Sequence, residues 1–235
     1  MSGAVERIRA QLFALQDEEY RRFSARLTPT LELAQVIGVR IPALRALAKE
    51  LRGTPDAAEF MADLPHRYYE ENNLHGFLIE SVGDYDACVA ALEAFLPHVD
   101  NWATCDMTSP RALGKKPDAL RAQIVRWMAS DREFTVRFGV GMLMRWFLDA
   151  HFDPGDLEAV AALRFEAYYV RMMAAWYFAT ALAKQWDATL PVIESRRLAP
   201  WVHNKAIQKA LESRRIPPER KAQLREMKIC SVEMS

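Results

Sequence analysis

Apolar side chains in this chain recur at steps of three and four residues, and this spacing constrains the fold more than any other feature. Val5, Ile8, Leu12 and Leu15 would line one face of a helix. Pro42 precedes Ala43-Leu44-Arg45-Ala46-Leu47-Ala48, a run of good helix formers with proline in the first turn. Thr54-Pro55-Asp56 reads as an N-cap and the first two positions of the next helix, which Leu64-Pro65 closes. The pattern predicts further helices over 67–82 and, after a break at Gly83-Asp84, over 85–99. Others follow near 101–113, 117–129, 131–149, 154–163, 165–185, 187–196, 199–213 and 217–228. β-branched residues are scattered, and no alternating run is bounded by turn signals, so no strand is expected.

Helix pairs joined by short turns suggest an α-solenoid or a compact bundle. The longer helices start near 101, 135 and 170, a repeat of 35 to 40 residues. That spacing is close to the HEAT-like period of roughly 40–47. The expected fold is an all-α, HEAT-like solenoid with a concave cleft, forming a single domain over 1–235. Residues 1–35 would be an atypical cap, 36–228 the repeats and 229–235 a tail. In the cap, Tyr20-Arg21-Arg22-Phe23-Ser24-Ala25-Arg26-Leu27 runs quickly into Thr28-Pro29-Thr30, where proline interrupts a helix. Residues 1–30 are therefore expected to form one main helix and an irregular connector.

Composition narrows the function. Apolar residues make up 51% and charged residues 26% of the 235, which excludes disorder and collagen-like repeats. Only 9 glycines occur, and neither GxGxxG nor GxxxxGK[ST] is present, so no dinucleotide or P-loop site is indicated. Cys88, Cys105 and Cys230 are odd in number and far apart, which argues against a disulfide framework or a thiolate zinc site and favours a reducing cytoplasm. The charged N-terminus is neither a signal peptide nor a membrane span. The five histidines lack HxxxH or HExxH spacing, so no metal is expected. Tyr68-Tyr69-Glu70-Glu71 reads as helix with a core face and a solvent face.

Net charge is zero, but it is unevenly spread. Residues 66–100 carry seven acidic side chains and one basic. Residues 196–228 carry ten basic and three acidic, among them Lys205, Lys209, Arg214 and Arg215. A basic face of this kind suits a phosphate backbone, and it equally suits a set of solvated helix surfaces.

Asp100-Asn101-Trp102-Ala103-Thr104-Cys105-Asp106 is the most informative stretch. Trp102 and Asp106 are four apart, which puts an indole and a carboxylate on one helix face as a receptor for a cation. The same spacing fits a core indole beside a carboxylate paired with an arginine. Arg137 follows 35 residues after Trp102, and Trp176 39 residues after Arg137. Arg137 sits among apolar neighbours and needs a partner, for which Asp106 is a candidate. Trp176 also fits simple core packing.

The Asp100–Asp106 stretch followed by Pro110 resembles a motif of the AlkD-type DNA alkylation repair family. So do Thr135-Val136-Arg137-Phe138-Gly139, the Tyr168-Tyr169-Val170 to Ala175-Trp176 segment, and Asn204-Lys205-Ala206-Ile207-Gln208-Lys209. The resemblance spans about residues 36–228. It implies a HEAT-like glycosylase that removes cationic N3- or N7-alkylated purines from double-stranded DNA without metal or organic cofactor, as a monomer. By position, Asp106 matches the catalytic aspartate of the family. Trp102 and Trp176 match the aromatic pair at the deoxyribose, and Arg137 a DNA-facing arginine. Active members have a paired second helix early in the chain, whereas one subgroup is shortened there. The other expectation for this sequence is a non-catalytic HEAT-like scaffold binding DNA or a protein.

Overall fold

The computed structural model describes residues 3–229, and among these the chain is helical with no strand. The expectation for Cys230 and most of the tail lies outside the described residues. No described helix is long and apolar enough to cross a membrane. The chain divides into two compact units at Lys116/Pro117.

The first unit contains α1 (Gly3–Ala14), α2 (Glu18–Leu27), α3 (Ile41–Leu51), α4 (Pro55–Ala62), α5 (Tyr69–Ile79), α6 (Tyr85–Phe95) and α7 (Trp102–Met107). Val5, Ile8 and Leu12 are buried as their spacing requires, and α1 packs on α4 and α5. Leu15 lies beyond the end of α1 and is exposed, against the expectation. Thr54 caps α4, its hydroxyl accepting from the N–H of Ala57 at 3.2 Å. One layer of this unit runs α3 on α5 and α5 on α7.

Other sequence expectations fail in this unit as well. Residues 18–27 form a second helix rather than a connector. The Asp17 carboxylate accepts from the N–H of Tyr20 at 2.9 Å, and Glu18 and Glu19 favour the positive N-terminal end. The helix stops at Leu27, ahead of Pro29. Another failure is at Glu70 and Glu71, which are fully buried with the whole of α5 rather than facing solvent. Glu70 accepts from the N–H groups of Ile37, Gly38 and Val39 at 2.8, 2.7 and 3.2 Å. Glu71 accepts from Nε of Arg9 at 2.8 Å and from the N–H groups of Arg67 and Tyr68 at 3.0 and 2.9 Å. A buried carboxylate persists only when so satisfied, and these bonds tie the loop 37–39 and α1 to α5.

The second unit contains α8 (Pro117–Met128), α9 (Glu133–Trp146), α10 (Pro154–Ala161), α11 (Tyr168–Lys184), α12 (Trp186–Glu194), α13 (Pro200–Glu212) and α14 (Pro218–Glu226). Here α9 packs on α11 and α11 on α13, with α8, α12 and α14 packing against members of that layer. The three layer helices begin at 133, 168 and 200, steps of 35 and 32 residues. Within this unit the stacking is solenoid-like, as the spacing predicts. Gly139 permits the α8–α9 approach: a Cβ there would lie 3.1 to 3.2 Å from Met128 and Trp127.

Candidate functional site

The predicted helix over 101–113 is instead two pieces. α7 has only six residues, and a 3-10 segment (Arg111–Lys115) follows the break at Ser109-Pro110. α7 is nevertheless held firmly. The Asn101 side chain caps it by accepting from the N–H of Thr104 at 2.8 Å. Asn101 Nδ2 donates to Thr104 Oγ1 at 2.9 Å, and that hydroxyl donates to Asn73 Oδ1 on α5 at 2.7 Å. All three residues are buried. At the other end, Thr108 Oγ1 donates to the Thr104 carbonyl at 2.9 Å. Gly76 lets α5 approach this threonine, since a Cβ there would fall 2.2 Å from the hydroxyl oxygen. The N–H of Ser109 donates to Glu80 Oε1 at 3.0 Å.

This anchoring decides what α7 presents. Ala103, Thr104 and Cys105 are buried, while Trp102, Asp106 and Met107 stay half-buried. The indole of Trp102 packs with Leu31, Val36, Tyr69 and Ala103, and its Nε1 donates to the Leu27 carbonyl at 2.9 Å. The structure thus brings Trp102 and Asp106 together, one turn apart on a short helix whose orientation α5 fixes.

The second unit gathers a different set. Arg137 on α9 is 4% exposed, and its Nη1 donates to the Tyr169 carbonyl at 2.7 Å, giving the guanidinium the polar partner that burial demands. Glu133 Oε1, one turn earlier, accepts from the Tyr169 N–H at 2.8 Å, so α9 grips the first turn of α11 by both backbone groups of one residue.

Trp176 departs from core packing. Its neighbours Ala174, Ala175, Tyr177 and Phe178 are buried, whereas Trp176 is 41% exposed. It lines a cleft of about 260 Å³ together with Ala179, Thr180, Lys209, Glu212, Ser213 and Arg215. Lys205 stands further along α13. Its Nζ lies 5.7 Å from the ring centroid of Trp201 and donates to Gln208 Oε1 at 2.7 Å. Arg171 lies over the same indole at 5.1 Å, and Tyr168 meets it edge-on at 5.8 Å. Arg214 is exposed. Among the described residues no ion pair engages the head groups of Lys205, Lys209, Arg214 or Arg215. Trp201 and Arg171 are not among the residues that the sequence singles out. The signal for them is a tryptophan four residues before Lys205, which places indole and ammonium on one helix face.

No group of three or more His, Cys, Asp and Glu side chains among the described residues is arranged to hold a metal ion. Cys88 is buried, and burial pushes its thiol up to about 11, out of the range of a nucleophile at neutral pH.

The sequence profile of the family described as DNA alkylation repair enzyme matches residues 8–209 of the 235. The chain belongs to the DNA alkylation repair enzyme family. A direct comparison with curated proteins gives no match. As a member of the DNA alkylation repair enzyme family, the protein has a role in DNA alkylation repair, with DNA as its partner. The match covers α7, α9 and α11 completely and α13 as far as Lys209.

Proposed function

We propose that the protein is a DNA glycosylase that hydrolyses the N-glycosidic bond of cationic N3- or N7-alkylated purines in duplex DNA, acting as a monomer. The observation that carries the reading is the pairing of Trp102 and Asp106 on α7, at half-buried positions, on a helix pinned to α5 by the Asn101–Thr104–Asn73 network. An alkylated purine already bears positive charge, so it leaves with the bonding electron pair and needs no general acid. Cleavage leaves an oxocarbenium-like sugar, as in other glycosyl transfers. Asp106 stabilises that cation and orients a water whose oxygen bonds to C1′ while its proton passes to the carboxylate or to solvent. The indole face of Trp102 adds cation–π attraction, roughly 0.5–2 kcal/mol, and Trp176, exposed in its own unit, offers the DNA a second indole.

Binding belongs to the second unit in this reading. Lys205, Lys209, Arg214 and Arg215 contact backbone phosphates, whereas Arg137, buried and bonded to the Tyr169 carbonyl, supports the first turn of α11 rather than facing DNA itself. Release of 7-methylguanine from methylated duplex DNA by the purified protein is the test. Release above background is expected, and its absence would leave the protein as a DNA-binding scaffold.

A further inference from the structure

The α3–α5 edge of the first unit holds another concentration of positive charge, separate from every residue assigned above. Arg45 and Lys49 on α3, with Arg52 at its C-cap, fall at steps of four and three and share one face. They line a cleft of about 200 Å³ completed by Ala48, Phe77, Glu80 and Ser81. Arg45 is held in place twice. Its guanidinium lies 4.0 Å from the centroid of the Phe77 ring, and its Nη1 donates to Glu80 Oε2 at 2.9 Å. The other oxygen of Glu80 is taken by the N–H of Ser109.

Lys49 and Arg52 are exposed and make no ion pair among the described residues. Three cations therefore share one carboxylate, whose two oxygens are both engaged, and the cleft carries an excess of two positive charges. Its floor is the buried ring of Phe77, which strengthens attraction to an anion by excluding water. The C-terminal end of α3 faces the cleft, so the helix dipole opposes an anion and the side chains must supply the attraction. An oxyanion with separately directed oxygens meets such a set well: a fixed guanidinium forks two bonds, and mobile cations close on the others.

We propose that this cleft binds a phosphodiester of the DNA backbone, giving the first unit its own grip on DNA. The proposal rests on DNA as partner and not on base excision. Free phosphate and nucleoside monophosphates share the chemistry, and the test separates them from DNA.

The affinity for undamaged duplex DNA is measured across a salt series for the wild type and for Lys49→Ala/Arg52→Ala. The variant should bind several-fold more weakly on every sequence, with the slope of log affinity against log salt shallower by roughly one to two. Its melting temperature should be unchanged, because both side chains are exposed. Lys49→Arg/Arg52→Lys should recover the slope. In parallel, inorganic phosphate and deoxyadenosine monophosphate are titrated into both proteins. An unchanged affinity and slope in the alanine variant overturns the proposal. Phosphate binding that disappears in the variant while the DNA slope stays constant overturns the assignment to DNA. Binding of undamaged DNA is the readout, so the result stands apart from whether the protein excises a base.

Discussion

The indole N–H of Trp102 reaches across 75 residues of sequence to the carbonyl of Leu27, at 2.9 Å, and so ties the end of α2 to the helix that carries Asp106. The bond sets the plane of the ring while leaving part of it open. Trp102→Phe keeps an aromatic face and removes the donor. The stability cost should be at least about 1 kcal/mol, since one partly exposed hydrogen bond and part of the packing against Leu31, Val36 and Tyr69 disappear. That corresponds to a fall of roughly 2–4 °C or more in melting temperature for a chain of this size. Excision of 7-methylguanine should fall further, about tenfold, because phenylalanine is a weaker cation–π partner and its position is no longer fixed. Equal rates for the two proteins would show that ring orientation does not matter.

Gly38 is the point on which α2 is mounted. Its φ is +96°, and a Cβ there would lie 2.5 Å from Cβ of Arg21 and 2.6 Å from the Asp17 carbonyl. Its own carbonyl accepts from the Asp17 N–H at 2.9 Å, and its N–H donates to buried Glu70. Gly38→Ala combines a left-handed backbone with a collision against the first turn of α2. A loss of at least about 1–3 kcal/mol is expected in urea unfolding. Protease cleavage within residues 15–35 should accelerate as α2 is displaced.

Four rings in the first unit form two stacked pairs, with Phe60, His75 and Phe95 buried and His66 half-buried. Phe60 lies on His66 at 4.3 Å and 13°, and His75 on Phe95 at 4.3 Å and 8°. Nε2 of His66 and Nδ1 of His75 are 2.8 Å apart, one donating and one accepting. Burial lowers His66 from the ordinary 6.5 to about 4 and His75 to about 3, the latter helped by its neighbour His66. An unfolded chain takes up protons at both sites below about pH 6.5, whereas the folded chain does not until much lower pH. Stability is therefore complete above about pH 6.5 and falls as pH drops towards about 4. The slope approaches about 1.4 kcal/mol per pH unit for each histidine. Melting curves from about pH 7.5 to about pH 4.5 check this. A His66→Phe/His75→Phe protein that melts cooperatively at neutral pH should lose most of this pH dependence.

The helices of the second unit are legible in the sequence by their apolar period, and four of them also by a proline at the start, whereas α9, α11 and α12 begin with neither a proline nor a capping side chain. Pro154, Pro200 and Pro218 all stand at first helical positions. α2 is hidden because Pro29 and the threonines beside it outweigh a readable cap at Asp17. Glu70 and Glu71 are hidden for a different reason. Their partners lie 31 to 33 residues back in the loop 37–39 and 62 residues back at Arg9, beyond any local pattern. The break after α7 is readable from Ser109-Pro110, since a residue before proline avoids helical angles. The candidate residues Trp102 and Asp106 are legible by spacing, but Asn73, Asn101 and Gly76, which fix α7, are not. Exposure of Trp176 cannot be read from a helix that is apolar on nearly every side.

The cations of α13 and the turn after it should behave as a backbone-binding face. Lys209 and Arg215 flank the Trp176 cleft, Lys205 is poised against Trp201, and Arg214 is exposed. Replacing all four by alanine should weaken duplex binding on every sequence. The salt slope should become shallower by up to about 3–4, near one for each phosphate no longer neutralised. Unchanged affinity and slope would mark these residues as ordinary solvated surface. Trp201→Leu should give a smaller fall, because Lys205 and Arg171 would keep their charge and lose the indole that positions them.

Asp106→Asn decides between an enzyme and a scaffold. The substitution keeps the shape of the side chain and removes its charge. If the carboxylate stabilises a developing sugar cation, its loss should slow 7-methylguanine release by about 10²–10³, by analogy with removal of one preorganised electrostatic stabiliser. Affinity for undamaged duplex should stay the same or rise, because a negative charge near phosphates has gone. A rate loss with both binding and stability intact points to a carboxylate that acts on the transition state and not on the ground-state complex. A purely structural aspartate would lower stability and leave the rate per folded molecule unchanged, so thermal melts of both proteins accompany the assay. A wild type that releases no base above background would falsify the enzyme reading, whatever the variant does. The Asn101–Thr104–Asn73 network offers an internal control. Asn101→Ala should loosen α7 and lower both stability and rate, whereas Asp106→Asn should lower the rate far more than the stability.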